Sequence, residues 1–256
     1  MSLLHSFYCW GHVAVVLLST AYFALAGVDN WRYLPFLWAI PPLLNAFLYA
    51  KVPMQPPLAA HERTPLRALF SRKLFWVFLL MMICAGASEQ AMSQWASLFA
   101  ERGLSVSKTM GDLLGPCAFA VLMGLARLLY GILGDKLNIR RAMALSAALC
   151  VGCYLLAANA PHPLLGLLGC AVTGFSVGLM WPGTFSMVAR AFPQGGTAMF
   201  AMLALAGDVG CSAGPGLVGL VSGGAGLNAG LMVACVFPVL MLASALCLSL
   251  RRAAGR

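Results

Sequence analysis

The sequence predicts an all-α membrane protein with about eight transmembrane helices. The first observation behind this class is a shortage of charge: hydrophobic residues make up 61% of the 256 positions, charged residues only 9%, and the mean hydropathy is +0.89. A soluble domain carries roughly 25% charged residues. The second observation is a series of apolar segments of bilayer-spanning length. Lipid must therefore take the place of water over most of the exterior.

Eight apolar segments come close to the roughly 20 residues that a transmembrane helix needs. Turn-forming residues separate them, as at Asp29-Asn30 and in the proline- and glycine-rich run 193–196. The segments cover residues 3–25, 33–50, 74–99, 109–133, 142–159, 164–190, 197–221 and 228–250. Residues 24–26, at the end of the first segment, resemble a signal-peptide cleavage site. The segment lacks a basic start and is too long for a signal, so we expect a retained helix.

Basic residues are concentrated on one side of the predicted membrane. Of 16 Lys and Arg residues, twelve lie on the side of the amino terminus, three on the other side, and Arg127 within a segment. This bias predicts that both termini are cytoplasmic. Residues 51–73, proline-rich at their start and basic throughout, are predicted to form a linker on the same side. A nucleic-acid binder would instead group its basic residues on one polar face, so nucleic acid is not an expected partner.

The loop after the fourth segment carries a recognisable motif. Residues 131–141 are Gly-Ile-Leu-Gly-Asp-Lys-Leu-Asn-Ile-Arg-Arg, which resembles the Gly-x-Leu-x-Asp-Arg-x-Gly-Arg-Arg signature of the major facilitator superfamily. The residues that match in register are Gly131, Leu133, Asp135 and Arg140. Lys136 keeps the charge of the signature arginine. Asn138 replaces a glycine, and Ile139 replaces the first arginine of the closing pair.

This resemblance implies a domain organisation. In that family the motif lies between the second and third helices and, more weakly, between the eighth and ninth. The position here fits the second copy, and the Gly-Pro-Gly of residues 214–216 resembles a helix of the family's second half. The chain then corresponds to the last eight of twelve helices, and a four-helix amino-terminal portion is missing. The implied parts are two helices of the N-terminal half (1–50), a cytoplasmic linker (51–73), a six-helix C-terminal half (74–250) and a cytoplasmic tail (251–256).

The resemblance also implies that the loop is a cytoplasmic gate rather than a solute site. In the family the motif holds the two halves together on the inner side in the outward-open state. The residues concerned are Gly131, Gly134, Asp135, Lys136, Arg140 and Arg141. In physical terms, Asp135 could face the positive amino terminus of a neighbouring helix, with the arginines paired to acidic or carbonyl groups. The inside-positive bias alone explains the arginines but not Asp135.

A row of polar residues interrupts the third apolar segment. It consists of Glu89, Gln90, Ser93, Gln94 and Ser97. Helical spacing places them on one face. A carboxylate at membrane depth costs about 2.5–3.5 kcal/mol on insertion scales, so it usually faces a bundle interior or a water-filled cavity. We expect a wet crevice, where amides bind solute hydroxyls and Glu89 binds a proton or cation. The alternative is interhelical hydrogen bonding that fixes packing.

Other polar or aromatic residues within the segments are secondary candidates. Trp95 is suited to stacking on a sugar ring or to anchoring the helix at the interface, and Trp181 to forming a cavity wall. Asp208 lies in the middle of its segment, where a carboxylate needs either a proton or a partner. It is therefore a second candidate for proton or cation coupling. The alternative is a structural hydrogen bond among the neighbouring glycines. Asp112 is a third candidate for proton or cation coupling. The alternative is that solvent or the dipole at a helix start stabilises its charge. For Arg127 we favour snorkelling to the interface over a buried salt bridge.

No catalytic or cofactor-binding arrangement accompanies these residues. The 9 cysteines all lie inside apolar segments, which favours buried thiols over a metal or redox site. Neither a zinc-protease histidine pair nor a phosphate-binding loop occurs. We therefore expect no enzyme, metal or cofactor. Glycines at Gly174, Gly178 and positions 207, 210 and 214 indicate close helix packing.

The leading hypothesis is a secondary transporter of a small polar solute, with a sugar-like metabolite favoured, in the bacterial inner membrane. Proton coupling through Glu89 or Asp208 is an extension of it. The rival hypothesis is a non-transporting scaffold or subunit that needs a partner chain.

Overall fold

The computed structural model describes residues 2–53, 64–134 and 136–253, and these ranges contain helices but no strand. Residues 54–63 of the predicted linker, and Asp135 of the loop motif, lie outside the described residues. A 3₁₀ segment (Val28–Tyr33) leads into α2, and a π-helical turn (Leu113–Cys117) leads into α6. The α-helices are α1 (Ser2–Ala26), α2 (Leu34–Lys51), α3 (Leu66–Phe70), α4 (Lys73–Leu104), α5 (Lys108–Asp112), α6 (Ala118–Leu133), α7 (Ile139–Asn159), α8 (Pro163–Val177), α9 (Met180–Ala191), α10 (Gly196–Ala225), α11 (Leu227–Ala234) and α12 (Val236–Ala253).

Eight helical stretches in the described ranges are long and apolar enough to cross a bilayer, which confirms the predicted number. They are Leu3–Ala26, Val28–Lys51, Lys73–Arg102, Lys108–Leu133, Ile139–Asn159, Pro163–Ala191, Gly196–Ala225 and Leu227–Ser249. The fifth stretch begins three residues earlier than predicted, because Asn138 caps α7. Its side-chain oxygen accepts hydrogen bonds from the backbone N–H groups of Arg140 and Arg141.

Glycines bring α10 directly against α4, as their spacing predicts. A Cβ atom on Gly210 would overlap the carbonyl oxygen of Ile83, and one on Gly214 would overlap that of Ala87. Lipid supplies no hydrophobic force between helices, so close backbone contact and dispersion hold them together. The backbones of α4 and α10 therefore lie in direct contact at these glycines.

A second glycine contact joins α8 to α6. A Cβ on Gly174 would overlap the carbonyl oxygen of Phe119, and one on Gly178 would lie 2.8 Å from the Cβ of Ala126. This contact brings the carboxyl end of α8 next to the side chain of Arg127, which follows Ala126 in the chain. The packing of α8 thus helps to build the site described below.

The first two spanning stretches differ in how they pack. Helix α1 lies along α6: a Cβ on Gly124 would be 3.2 Å from the Cβ of Cys9, and one on Gly131 would be 2.6 Å from the side chain of Leu3. Helix α2, in contrast, has no buried residue. Its apolar surface, like that on the outer side of α1, suits contact with lipid or protein but not water.

Candidate functional site

An ion pair between Glu89 of α4 and Arg127 of α6 lies inside the helix bundle. Arg127 Nη2 donates a hydrogen bond to Glu89 Oε2 at 3.0 Å, and the two side chains are only 2% and 5% exposed. Burying either charge alone would be costly, and an opposite charge with additional hydrogen bonds offsets much of that cost. The polar row of α4 therefore contains one residue whose partner comes from another spanning helix.

Arg127 also binds two backbone carbonyl groups from other parts of the chain. Its Nε donates to the Gly178 carbonyl at 3.1 Å, at the end of α8, and its Nη1 donates to the His5 carbonyl at 3.0 Å, on α1. The Tyr8 ring covers the guanidinium, with 5.4 Å from Arg127 Cζ to the ring centre. One side chain on α6 thus connects α1, α4 and α8.

The ion pair corrects two sequence-based expectations. Snorkelling of Arg127 was favoured, but its side chain points inward, because Glu89 and two carbonyl groups are within hydrogen-bonding distance. Glu89 was expected to face a wet crevice, whereas its carboxylate is sealed against Arg127 in this structure. A role for Glu89 in solute or proton binding stays a prediction.

The remaining polar residues of α4 are divided among different surroundings. Gln90 is half-buried, and its Nε2 donates to the Tyr8 hydroxyl at 3.3 Å, so it joins the edge of the Arg127 cluster. Ser93 is buried and Gln94 is exposed. Trp95 donates from Nε1 to the Pro215 carbonyl at 3.2 Å, which ties α4 to α10. The row therefore serves packing as well as any binding surface.

A separate polar cluster lies at the opposite end of α4 from its start at Lys73. Ser97 Oγ lies 2.6 Å from Asp112 Oδ1, and Lys108 Nζ lies 2.8 Å from the same oxygen and 3.5 Å from Glu101 Oε1. Asp112 is thus an ion-pair member rather than an isolated carboxylate. Lys108 is 64% exposed, so solvent screens this cluster far more than the Glu89 pair.

Asp208 of α10 follows Gly207, the residue against which Trp181 of α9 packs. Asp208 is exposed and makes no ion pair within the described ranges. The Trp181 ring packs against the backbone of Gly207, and its Nε1 is buried without an acceptor among the described residues. Trp181 fills a helix contact in this conformation, and its role as a cavity wall stays a prediction.

The loop motif after α6 contacts the ends of two other helices. Gly131 lets Leu3 of α1 approach α6 closely. Arg140 donates from Nη1 to the Leu248 carbonyl of α12 at 3.1 Å, which is the kind of carbonyl partner expected for the gate arginines. Gly134 ends α6 and Lys136 is exposed. The gate role assigned to this loop is a prediction that the contacts leave untested.

The sequence profile of the Major Facilitator Superfamily matches this chain over residues 1–215 and 116–256. The chain belongs to the Major Facilitator Superfamily. Among solved structures, it is similar to FucP, a Major Facilitator Superfamily transporter crystallised in the outward conformation, with a TM-score of 0.66 and 16% sequence identity. The likeness covers 79% of this chain and 51% of FucP, so the chain spans about half the length of that transporter. A comparison with curated proteins finds no match.

Within this superfamily member, sequence analysis identified Glu89 but missed the two partners that α1 supplies to Arg127. His5 contributes a backbone carbonyl, which no sequence pattern could indicate. Tyr8 lies three residues after His5, on the same face of α1, and an aromatic residue in an apolar helix carries no distinctive signal. The signal that was available is Arg127 itself, because a cation within a spanning segment calls for an acidic partner at similar depth.

Proposed function

We propose that this chain is the larger part of a secondary transporter for a small polar solute, with a sugar-like metabolite favoured. Membership of the superfamily supports transport, and the buried Glu89–Arg127 pair is the observation that supports a polar solute. A carboxylate, a guanidinium and the nearby Gln90 amide together offer acceptors and donors that suit hydroxyl groups. In the absence of solute the two charges satisfy each other, which stabilises a closed site.

Opening of this site requires α1 to move relative to α6 and α8. Arg127 is held on one side by the His5 carbonyl and the Tyr8 ring of α1, and on another by Gly178. Alternating access in such transporters is largely rigid-body rocking of one helix bundle against another. We propose that separation of α1 from α6 exposes Glu89 and Arg127, so that a solute can replace part of their mutual contact.

Proton coupling is a second element of the proposal, with Glu89 as first candidate and Asp208 as second. A carboxylate can accept a proton in a low-dielectric interior, whereas a guanidinium keeps its own. Protonation of Glu89 would convert a charged contact into a weaker neutral one and so ease the movement of α1. Replacement of Glu89 by Gln in a transport-competent protein should abolish pH-dependent uptake, and retained proton dependence would rule out this role.

We further propose that both termini face the cytoplasm of a bacterial cell, and that other helices cover α1 and α2. Twelve basic residues on one side support the orientation. The absence of buried residues on α2 supports a covering portion of four helices, from the same or another polypeptide. Reporter fusions to the two termini test the orientation, since an externally active reporter on either terminus would contradict it.

The rival proposal is a scaffold or subunit without transport activity, and the exposed faces of α1 and α2 favour it. A thermal-shift screen of sugars and related polyols on the purified chain separates the two proposals, because a specific ligand raises the unfolding temperature by mass action. A transporter should show stabilisation that Glu89→Gln removes. Glu101→Gln is the matched control, since it makes the same change on the same helix but outside the site. If no solute stabilises the chain, alone or with covering helices, the scaffold is favoured.

A further inference from the structure

A cavity of about 690 Å³ opens between the ends of α4, α7, α9 and α12, on the side of the bundle that carries most basic residues. It is separate from the Glu89 site. Arginine residues and the start of α7 line one part of it, and apolar side chains of α4, α9 and α12 line the rest. The apolar part includes Leu74, Phe78, Met187 and Leu248.

The described residues that line this cavity carry positive charge. Arg140, Arg141 and Arg190 all belong to its lining, and the described lining residues include neither Asp nor Glu. Arg141 and Arg190 are exposed and make no ion pair within the described parts of the chain. Two of the three guanidinium groups therefore reach the cavity without a counter-charge from the described residues.

Helix α7 adds to the positive potential. This 21-residue helix begins at Ile139, itself a lining residue, so the positive end of its dipole is directed toward the cavity. Arg140 is held in place by its bond to the Leu248 carbonyl at 3.1 Å, which uses one of the five guanidinium N–H groups. The arginine can still present other N–H groups to a ligand from a fixed position.

We propose that this cavity is a binding site for a phosphate group, held by Arg140, Arg141 and Arg190. Guanidinium groups bind phosphate oxygens through paired hydrogen bonds, and a planar fork gives both affinity and orientation. The phosphate belongs either to the headgroup of an anionic lipid, whose acyl chain would lie on the apolar part of the cavity, or to a free phosphate compound. Since α7, α9 and α12 all line the cavity, a bound phosphate would hold their ends together.

The test measures thermal unfolding of the whole chain in a neutral detergent against two probes. One probe is inorganic phosphate, compared with chloride at equal ionic strength. The other is short-chain phosphatidylglycerol, compared with phosphatidylcholine of the same acyl length. We expect at least one probe to raise the unfolding temperature. Stabilisation by inorganic phosphate identifies a free phosphate as sufficient, and stabilisation by phosphatidylglycerol alone identifies a lipid headgroup; either result supports the site.

Paired variants then locate the effect. Arg141→Gln with Arg190→Gln should raise the half-saturating concentration of the active probe roughly 25-fold, taking about fivefold for each basic residue at an anionic group. Lys51→Gln with Arg67→Gln removes the same charge from exposed positions on the same side and should change it by less than about twofold. Arg141→Lys with Arg190→Lys keeps the charge and should lie between the two. If neither probe stabilises the chain, or if the Lys51 and Arg67 pair loses as much affinity, the proposal is overturned.

Discussion

Glu89 and Arg127 are separated by 38 residues in the chain, and their side chains meet at 3.0 Å between two spanning helices. A contact of this kind has two opposing energies. Removing both charges from water is costly, while their attraction grows in a low-dielectric interior. In this structure the Arg127 guanidinium also donates hydrogen bonds to two carbonyl oxygens, so the buried positive charge has acceptors besides Glu89.

The first prediction concerns the strength of this contact. A double-mutant cycle with Glu89→Gln and Arg127→Gln should give a coupling free energy of about 2–3 kcal/mol, because either single replacement leaves a buried charge without its partner. The matched cycle with Glu101→Gln and Lys108→Gln should give about 0–1 kcal/mol, since solvent screens that pair. Thermal or denaturant unfolding in detergent measures both. Equal coupling in the two cycles would contradict the buried pair.

The second prediction concerns the glycine contact between α4 and α10. Gly210→Ala should destabilise the fold by about 1–3 kcal/mol, because the new methyl group overlaps the Ile83 carbonyl and forces the helices apart. Gly216→Ala is the control on the same helix. Its Cβ would meet nothing within 4 Å, so the change should be neutral or slightly stabilising. Unfolding temperatures that fall equally for both variants would show that the contact does not depend on Gly210.

The third prediction concerns a hydrogen bond buried between α7 and α4. The Tyr154 hydroxyl donates to the Ser88 carbonyl at 2.8 Å, and Tyr154 is fully buried. Tyr154→Phe should cost about 0.6 kcal/mol, the average for interhelical hydrogen bonds in a membrane protein. Tyr22→Phe removes a bond of similar length, to the Asn30 carbonyl at 2.9 Å, in an exposed place and should cost less. The comparison fails if the Tyr22 variant is the less stable of the two.

The fourth prediction tests the proposed movement of α1. A Cβ on Gly124 would lie 3.2 Å from that of Cys9, close enough for Gly124→Cys to form a disulfide with Cys9 under mild oxidation. The crosslink should fix α1 to α6 and remove the thermal stabilisation given by a solute, and reduction should restore it. Gly152→Cys has open space around its Cβ and should neither crosslink nor affect solute binding. Unchanged solute binding in the crosslinked protein would contradict the movement of α1.

Much of the architecture was predictable, because a spanning helix is a local property of the sequence. Apolar length identified all eight spanning stretches, and turn-forming residues placed most of their ends within a few positions. The loop motif at residues 131–141 indicated the superfamily. Small residues at close spacing on α10 marked a packing surface before its partner on α4 was known.

The site was less predictable, because helical spacing shows which residues share a face but not which helix that face meets. Glu89 was recognised from the sequence as costly at membrane depth, yet its pairing with Arg127 depends on how α4 and α6 are rotated around α8. The same limitation explains Trp95, whose hydrogen bond to Pro215 depends on the glycine contact between α4 and α10. The sequence alone determined that the chain has eight segments long and apolar enough to cross the bilayer, and that Glu89 and Arg127 lie within two of them. Only the tertiary structure decided how these charges are paired, because contacts between distant helices depend on their relative rotation and depth.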